Sequence, residues 1–399
     1  MSGDTIEDMT TYPHVALIVE TAKQYDRGLL RGIGRYIKGH GPWSVYLEER
    51  GPRDAIPPWL RSWKGDGIIA RIQDVPMAEA LVATGVPIVE LRRQVVGFDL
   101  PAVHCDDDAL AAQAIRHFQS RGFRHFAFCG RPRARWSDLR EDSYLRCLEA
   151  SGLTGHSYAW PRRRHERSWE QEQDEVSRWL ADLPHPVGVL TCNDIRGLQV
   201  LDACRRIALP VPERVAVLGV DNDVALCELA DPPLSSIDQD LERIGFEAAK
   251  LLDRLMNGHP SPPEPILIEP VGIVTRLSTD SIAIDDPAVA TTIRLIRQHA
   301  CSHRGVDFFA EQAGLSRRVL QRRFKALTGR TLQEEILETQ LARVRQMLAE
   351  TDLKLEAIAG RAGFRYLGYM CSYFKKRTGM TPGQYRHRHA NLPGTIRKV

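Results

Sequence analysis

Apolar and polar positions follow two regimes along this chain. Over the first 282 residues, short apolar runs recur at Val15–Val19, Trp43–Leu47, Gly67–Ala70, Pro87–Val89, His125–Cys129, Gly188–Thr191 and Val215–Val220. Between them lie stretches with the 3.6-residue period of amphipathic helices, clearest over 27–38, 141–151 and 195–206. This alternation predicts a largely parallel sheet with helices on both faces. The cycle restarts at His125, so two α/β lobes are expected, with a polar loop from Glu20 to Asp26 and a long arginine-rich loop leading to Arg140. Ligands of such folds sit beyond the carboxyl ends of the strands, here in the cleft between lobes.

After Pro287 the strand pattern stops and only helical periods remain. Phe309, Ala313, Leu315, Leu320 and Phe324 share one helical face, interrupted at Gly314, where a sharp turn needs positive φ. Ser316 is placed to cap the helix that follows. About fifty residues on, Ile358, Ala359, Ala362, Phe364, Met370, Tyr373 and Phe374 repeat the arrangement around Gly363. A single helical pattern, Leu332 to Leu348, joins them. These are two helix-turn-helix units in tandem, held at a fixed separation.

Charge sharpens the division. Residues 287–399 carry 21 Lys plus Arg against 8 Asp plus Glu, whereas residues 1–286 carry 33 against 43, so a net charge of +3 conceals a basic tail on an acidic body. In the first unit Arg317, Arg318, Gln321, Arg322 and Arg323 face outward as candidates for phosphates and purine edges. In the second, Tyr366, Leu367 and Ser372 occupy the reading face, while Lys375, Lys376 and Arg377 are expected to hold phosphates. With these residues in view, the segment 287–390 resembles the DNA-binding domain of AraC-type regulators, most specifically through Phe374-Lys-Lys-Arg-Thr-Gly-Met-Thr-Pro-Gly-Gln-Tyr-Arg386.

The expected strand ends of the body gather Asn, Asp and Arg, which supply the acceptors and forked donors that vicinal hydroxyls require. Arg140 in Arg-x-x-Ser-Tyr, Asn193 in Asn-Asp and Asp221 in Gly-Val-Asp-Asn resemble the effector-contacting positions of periplasmic sugar-binding proteins and LacI-type regulators. Pro233-Leu-Ser-Ser-Ile-Asp-Gln-Asp240 resembles their return crossing between lobes. A LacI-like sensor ahead of an AraC-like reader narrows the resemblance to the bacterial xylose operon regulators, as do Tyr25-Asp26-Arg27 and Gly65-Asp66-Gly67. Glu20 and Arg71 stand where Asn and Asp are expected of the enterobacterial members.

The resemblance therefore implies a two-lobed periplasmic-binding-protein-like (type I) α/β sensor over 13–282, followed by an all-α domain with two helix-turn-helix units. It implies a sugar-responsive regulator binding a monosaccharide, D-xylose or a related pentose, with a sugar acid or larger pentoside left open by Arg71. Glu20, Tyr25, Asp26, Arg71, Arg140, Asn193, Asp221 and Asn222 are the candidate sugar contacts. Operator DNA, a homodimeric partner and, for an activator, RNA polymerase are the implied partners. Two other classes remain open: a sugar-processing enzyme with a DNA-binding tail, and a ligand-independent DNA binder.

Other chemistry finds little support. Gly28, Gly32 and Gly34 lack dinucleotide-loop spacing, and no cofactor is expected. His165, His387 and His389 lack metal-ligand partners, and Asp106–Asp108 reads as a helix cap. No run of about 18 apolar residues predicts a membrane span. The polar, acidic start up to residue 12 is expected to be a disordered lead-in rather than a secretory signal. The tail 391–399 is expected to be flexible. The eight scattered cysteines are expected to be reduced, buried thiols of a cytoplasmic protein. Asp285-Asp286-Pro287 reads as the linker between domains.

Overall fold

The computed structural model describes residues 12–51, 54–158, 168–280, 283–302 and 304–389. The acidic lead-in to residue 11, the arginine-rich run around His165 and the tail 391–399 lie outside them. The chain divides into two compact units, Met1–Ser281 and Ile282–Val399.

The first unit opens with β1 (His14–Ile18), α1 (Gln24–His40), β2 (Ser44–Leu47), β3 (Gly67–Ala70), α2 (Val75–Val82) and β4 (Ile88–Glu90). These four strands form a parallel sheet in the order β2-β1-β3-β4. After β5 (Val103–Cys105) and α3 (Asp107–Gln119) the second lobe is built from β6 (His125–Cys129), α4 (Arg135–Ala150), β7 (Gly155–Ser157) and α5 (Trp169–Asp182). It continues through β8 (Val187–Thr191), α6 (Asp194–Arg206), β9 (Val215–Val220), α7 (Val224–Leu229) and β10 (Ser235–Asp238). Then α8 (Leu241–Met256), β11 (Ile266–Ile268) and β12 (Gly272–Val274) close the unit. The second sheet runs β12-β10-β9-β8-β6-β7, parallel except for β12. Strands β8 and β9 are buried along their whole length, as continuous apolar runs covered on both faces should be.

The chain leaves β10 of the second lobe and lays α8 against α1 and β3 of the first. Close approach is built in by glycine. A methyl on Gly32 would overlap the Glu242 carbonyl, and one on Gly245 would overlap that of Leu29. With the passages from β4 to α3 and from α8 to β12, this gives three crossings between lobes. The short pair β5–β11 lies on two of them and was not foreseen, because three-residue strands are too brief to show alternation.

Two loop expectations fail in the same direction. Gln24–Asp26 belong to α1, and α4 begins at Arg135, so Arg140 is a helical residue. The cap reading at Asp106 holds: its Oδ1 accepts from the amides of Asp108 and Ala109. All eight cysteines are free thiols, five buried and Cys147, Cys301 and Cys371 half-buried.

The second unit is all helix: α9 (Pro287–His299), α10 (Val306–Gln312), α11 (Arg317–Thr328), α12 (Leu332–Glu350), α13 (Leu355–Arg361), α14 (Leu367–Thr378) and α15 (Pro382–His389). Its apolar side chains form two cores. Phe309, Leu320 and Phe324 pack with α9 and the first half of α12; Ile358, Met370 and Phe374 pack with the second half. The buried Gln340 amide, midway along α12, donates to the carbonyls of Ala300 and Gly363 and so ties both halves to one helix. The 285–287 junction is not a free linker. Asp286 caps α9 and pairs with Arg323 at 3.2 Å, and Ile284 is buried in the first core.

Candidate functional site

A cavity of about 350 Å³ lies between the lobes of the first unit, at the carboxyl ends of both sheets. Five candidate contacts line it: Tyr25 from α1, Arg71 after β3, Arg140 on α4, Asn193 after β8 and Asp221 after β9. Glu20, Asp26 and Asn222 do not. Glu20 stands behind, shared by Lys23, Gln73 at 3.3 Å and Arg92 at 2.6 Å. Burial opposes its charge, but Lys23, Arg71 and Arg92 together hold its carboxyl below the usual range. Asp26 is fully buried and accepts from Arg71 Nη1 at 2.6 Å; burial pushes its carboxyl up against that pull. The Asn222 side chain is spent on Asp238 and Arg276, bracing the turn rather than facing the cavity.

Arg140 is the hub of the second lobe. Its Nε donates to Asp107 at 2.9 Å, Nη1 to the Cys192 carbonyl at 2.6 Å and Nη2 to Gln239 at 3.1 Å. Gln239 in turn donates to Asp221 at 2.5 Å. Burial works against the charge of Arg140, yet Asp107, Cys105 and Asp221 together outweigh it and keep the guanidinium protonated. Burial and then the Asp194 carboxylate push Asp221 up, with Arg140 and Arg71 opposing. Asp221 also sits at φ 111°, a backbone position that L residues rarely hold, of the kind that clusters at ligand clamps. Two aromatic faces complete the lining. Tyr25 lies 4.6 Å beneath the Arg71 guanidinium and Trp136 lies 5.9 Å from that of Arg140.

Arg92, Arg93, Asp107, Trp136 and Gln239 are among the lining residues that sequence reasoning missed. Gln239 lay within the quoted Asp-Gln-Asp run, and Asp107 within the carboxylate run read only as a cap. His104 also faces the cavity, and burial followed by Arg93 and Arg135 lowers its pKa to about 3, so it presents a neutral ring. Among the described residues no group of His, Cys, Asp and Glu could hold a metal ion, and no helix is long and apolar enough to cross a membrane.

In the second unit, Gly314 at φ 65° and Gly363 at φ 84° make the two turns, and Ser316 Oγ accepts from the Val319 amide. Arg318, Gln321 and Arg322 are exposed on α11 with no hydrogen bond or ion pair to the described residues. Arg317 pairs with Asp307 at 3.3 Å, an exposed contact that DNA phosphate would readily displace. Tyr366, at the N-cap of α14, and Ser372 on it are exposed, and Lys375 and Lys376 project freely. Three of the candidate side chains are engaged within the unit. Leu367 is half-buried against the second core, Arg323 is held by Asp286, and Arg377 is held by Glu338, which also accepts from Tyr373. Tyr369, not singled out in the sequence, is also exposed, one turn of helix beyond Tyr366.

Comparison with known proteins places both units. Family models match in order: the XylR N-terminal domain at residues 14–96, the periplasmic binding protein-like domain at 115–279 and a helix-turn-helix domain at 309–388. The xylose operon regulatory protein of Escherichia coli strain K12 is 34% identical over 382 residues, covering 93% of this chain and 96% of that protein. Its counterpart from Haemophilus influenzae is 31% identical over 383 residues, covering 94% and 98%. The solved structure of the xylose-binding transcription activator XylR matches with a TM-score of 0.82 at 31% identity, covering 96% of this chain and all of that one.

Proposed function

Because the chain belongs to the family of xylose operon regulatory proteins, we propose that a pentose-sized sugar bound between its lobes controls how its two helix-turn-helix units engage operator DNA. The observation that carries this reading is the Arg140–Gln239–Asp221 chain. It links α4 to the carboxyl ends of β9 and β10 and aims donors and acceptors into a cavity flanked by two aromatic faces. Such a lining holds a small polyol and offers no activated nucleophile, so the reading is a binding protein rather than an enzyme. The working form is a homodimer, and contact with RNA polymerase follows if the protein activates.

A sugar can regulate only through a difference in affinity between two arrangements, and operator must then tighten sugar binding by the same factor. The test is a thermal melt of the full chain with pentoses, paired with operator titrations at zero and saturating sugar. A sugar at 100 times its Kd should stabilise the protein by about 2.7 kcal/mol. If none of the pentoses or hexoses shifts the melt or the operator affinity, the reading fails.

Base reading and phosphate holding separate by experiment. Replacing Arg318 or Arg322 with alanine should cost about 1–3 kcal/mol on operator and little on a scrambled duplex. Replacing Lys375 or Lys376 should weaken both duplexes alike and reduce the salt slope of log K by about one unit. An Arg322→Ala variant that loses affinity equally on both duplexes would make Arg322 a phosphate contact.

A further inference from the structure

Seven Lys and Arg side chains line the inter-lobe cavity against three carboxylates, and Glu20, Asp26 and Glu90 behind the first-lobe wall bring the acids to six. Asp107 is shared between Arg140 and Arg93, and Glu20 between Lys23 and Arg92. The wall therefore keeps a surplus of positive charge, concentrated in the first lobe. Arg71 spends Nη1 on Asp26 and Arg92 spends Nη1 on Glu20, while the buried Nε of each has no hydrogen-bond partner among the described residues. The two guanidinium groups are also close enough to repel: after burial, Arg71 is the next cause that lowers the basicity of Arg92.

The oxygens of a neutral sugar can accept from those donors but leave the surplus of charge uncompensated, and buried charge without a counter-charge is costly. A carboxylate or phosphate would convert it into charge-assisted hydrogen bonds, for which the planar guanidinium fork is suited. The opposite wall, with Asp221, Asn193 and Gln239, has the acceptors and amides that hydroxyls need. We infer that the effector is an acidic sugar of pentose size, its anionic oxygens held by Arg71 and Arg92 and its hydroxyls by the second lobe. This rests on the pentose-sized cavity proposed above and names the chemical class within it.

Calorimetric titration of the full chain with D-xylose, D-xylonate and D-xylose 5-phosphate tests the assignment, the last two separating carboxylate from phosphate. One of the acids should bind at least ~100-fold more tightly than xylose, in keeping with two charge-assisted contacts, and its advantage should shrink as salt rises. Arg71→Gln should reduce affinity for that acid at least ~10-fold more than it reduces affinity for xylose, since only the acid needs the full charge. Arg92→Gln provides the same comparison if loss of the Asp26 partner unfolds the Arg71 variant. Xylose binding as tightly as both acids in the unaltered protein overturns the inference and leaves the pentose reading intact. No response to any of the three, with no response to other pentoses, overturns both.

Discussion

Replacing Arg140 with alanine should abolish effector binding and destabilise the first unit by about 3–5 kcal/mol, the scale for removing one partner of a buried ion pair. Arg140 is 6% exposed, and its guanidinium satisfies a carboxylate, a main-chain carbonyl and an amide oxygen from three distant segments of the chain. Without it, Asp107 keeps only Arg93 at 3.4 Å, and Gln239 loses the contact that orients it toward Asp221. Lysine in its place restores the charge but not the three-way geometry, so Arg140→Lys should recover stability more than affinity. All seven tryptophans lie at or before Trp179, so the change in their emission during urea unfolding of the full chain reports the first unit alone. Calorimetry supplies the affinity. Normal sugar binding by a folded Arg140→Ala variant would remove the cavity from consideration as the effector site.

Phe374→Ala should produce the second large effect, about 3–5 kcal/mol for deleting a fully buried aromatic ring. The loss should be confined. Phe374 packs with Leu341, Val344 and Met370 in the second core, whereas Phe309, Leu320 and Phe324 belong to the first. Hydrogen exchange should therefore show protection lost over 341–386 and retained over 287–336, the pattern of a separate cooperative unit. Operator binding should fall toward that of one helix-turn-helix, because the second reader no longer adds its contacts to a preorganised site. Equal loss of protection on both sides of Gln340 would mean that the two cores melt as one.

The parts of this fold that were legible in the sequence are those whose signal is local. The turn glycines Gly314 and Gly363, the Ser316 cap and the long apolar strands each state their structure within a few residues, and they appear where the pattern put them. What was misread depends on distant partners. Gln24-Tyr25-Asp26 looks like polar loop because nothing nearby reveals that Asp26 is neutralised by Arg71, forty-five residues on. Arg140 sits after a run of arginines and a proline that read as loop, although only its contacts with Asp107, Cys192 and Gln239 make its burial tolerable. The site suffered likewise. Motif positions identified Arg140, Asn193 and Asp221 as cavity residues, but whether Asn222 faces the cavity or Arg276 was decided by a residue 54 positions downstream, just past β12. Arg92 and Arg93 carried no local signal at all.

The nineteen residues of α12 also act as a gauge. At 1.5 Å per residue the helix spans roughly 28 Å, somewhat under one turn of B-form DNA, and Gln340 pins a reader to each side of its midpoint. Distance and phase are then set by one integer. A residue added to the helix would move the second reader by about 1.5 Å along the axis and swing it by about 100° around it, so its recognition helix would leave the groove rather than shift along it. If both units read one operator, the spacing between the sites they read is written in the protein as a residue count, and distance and phase cannot drift independently.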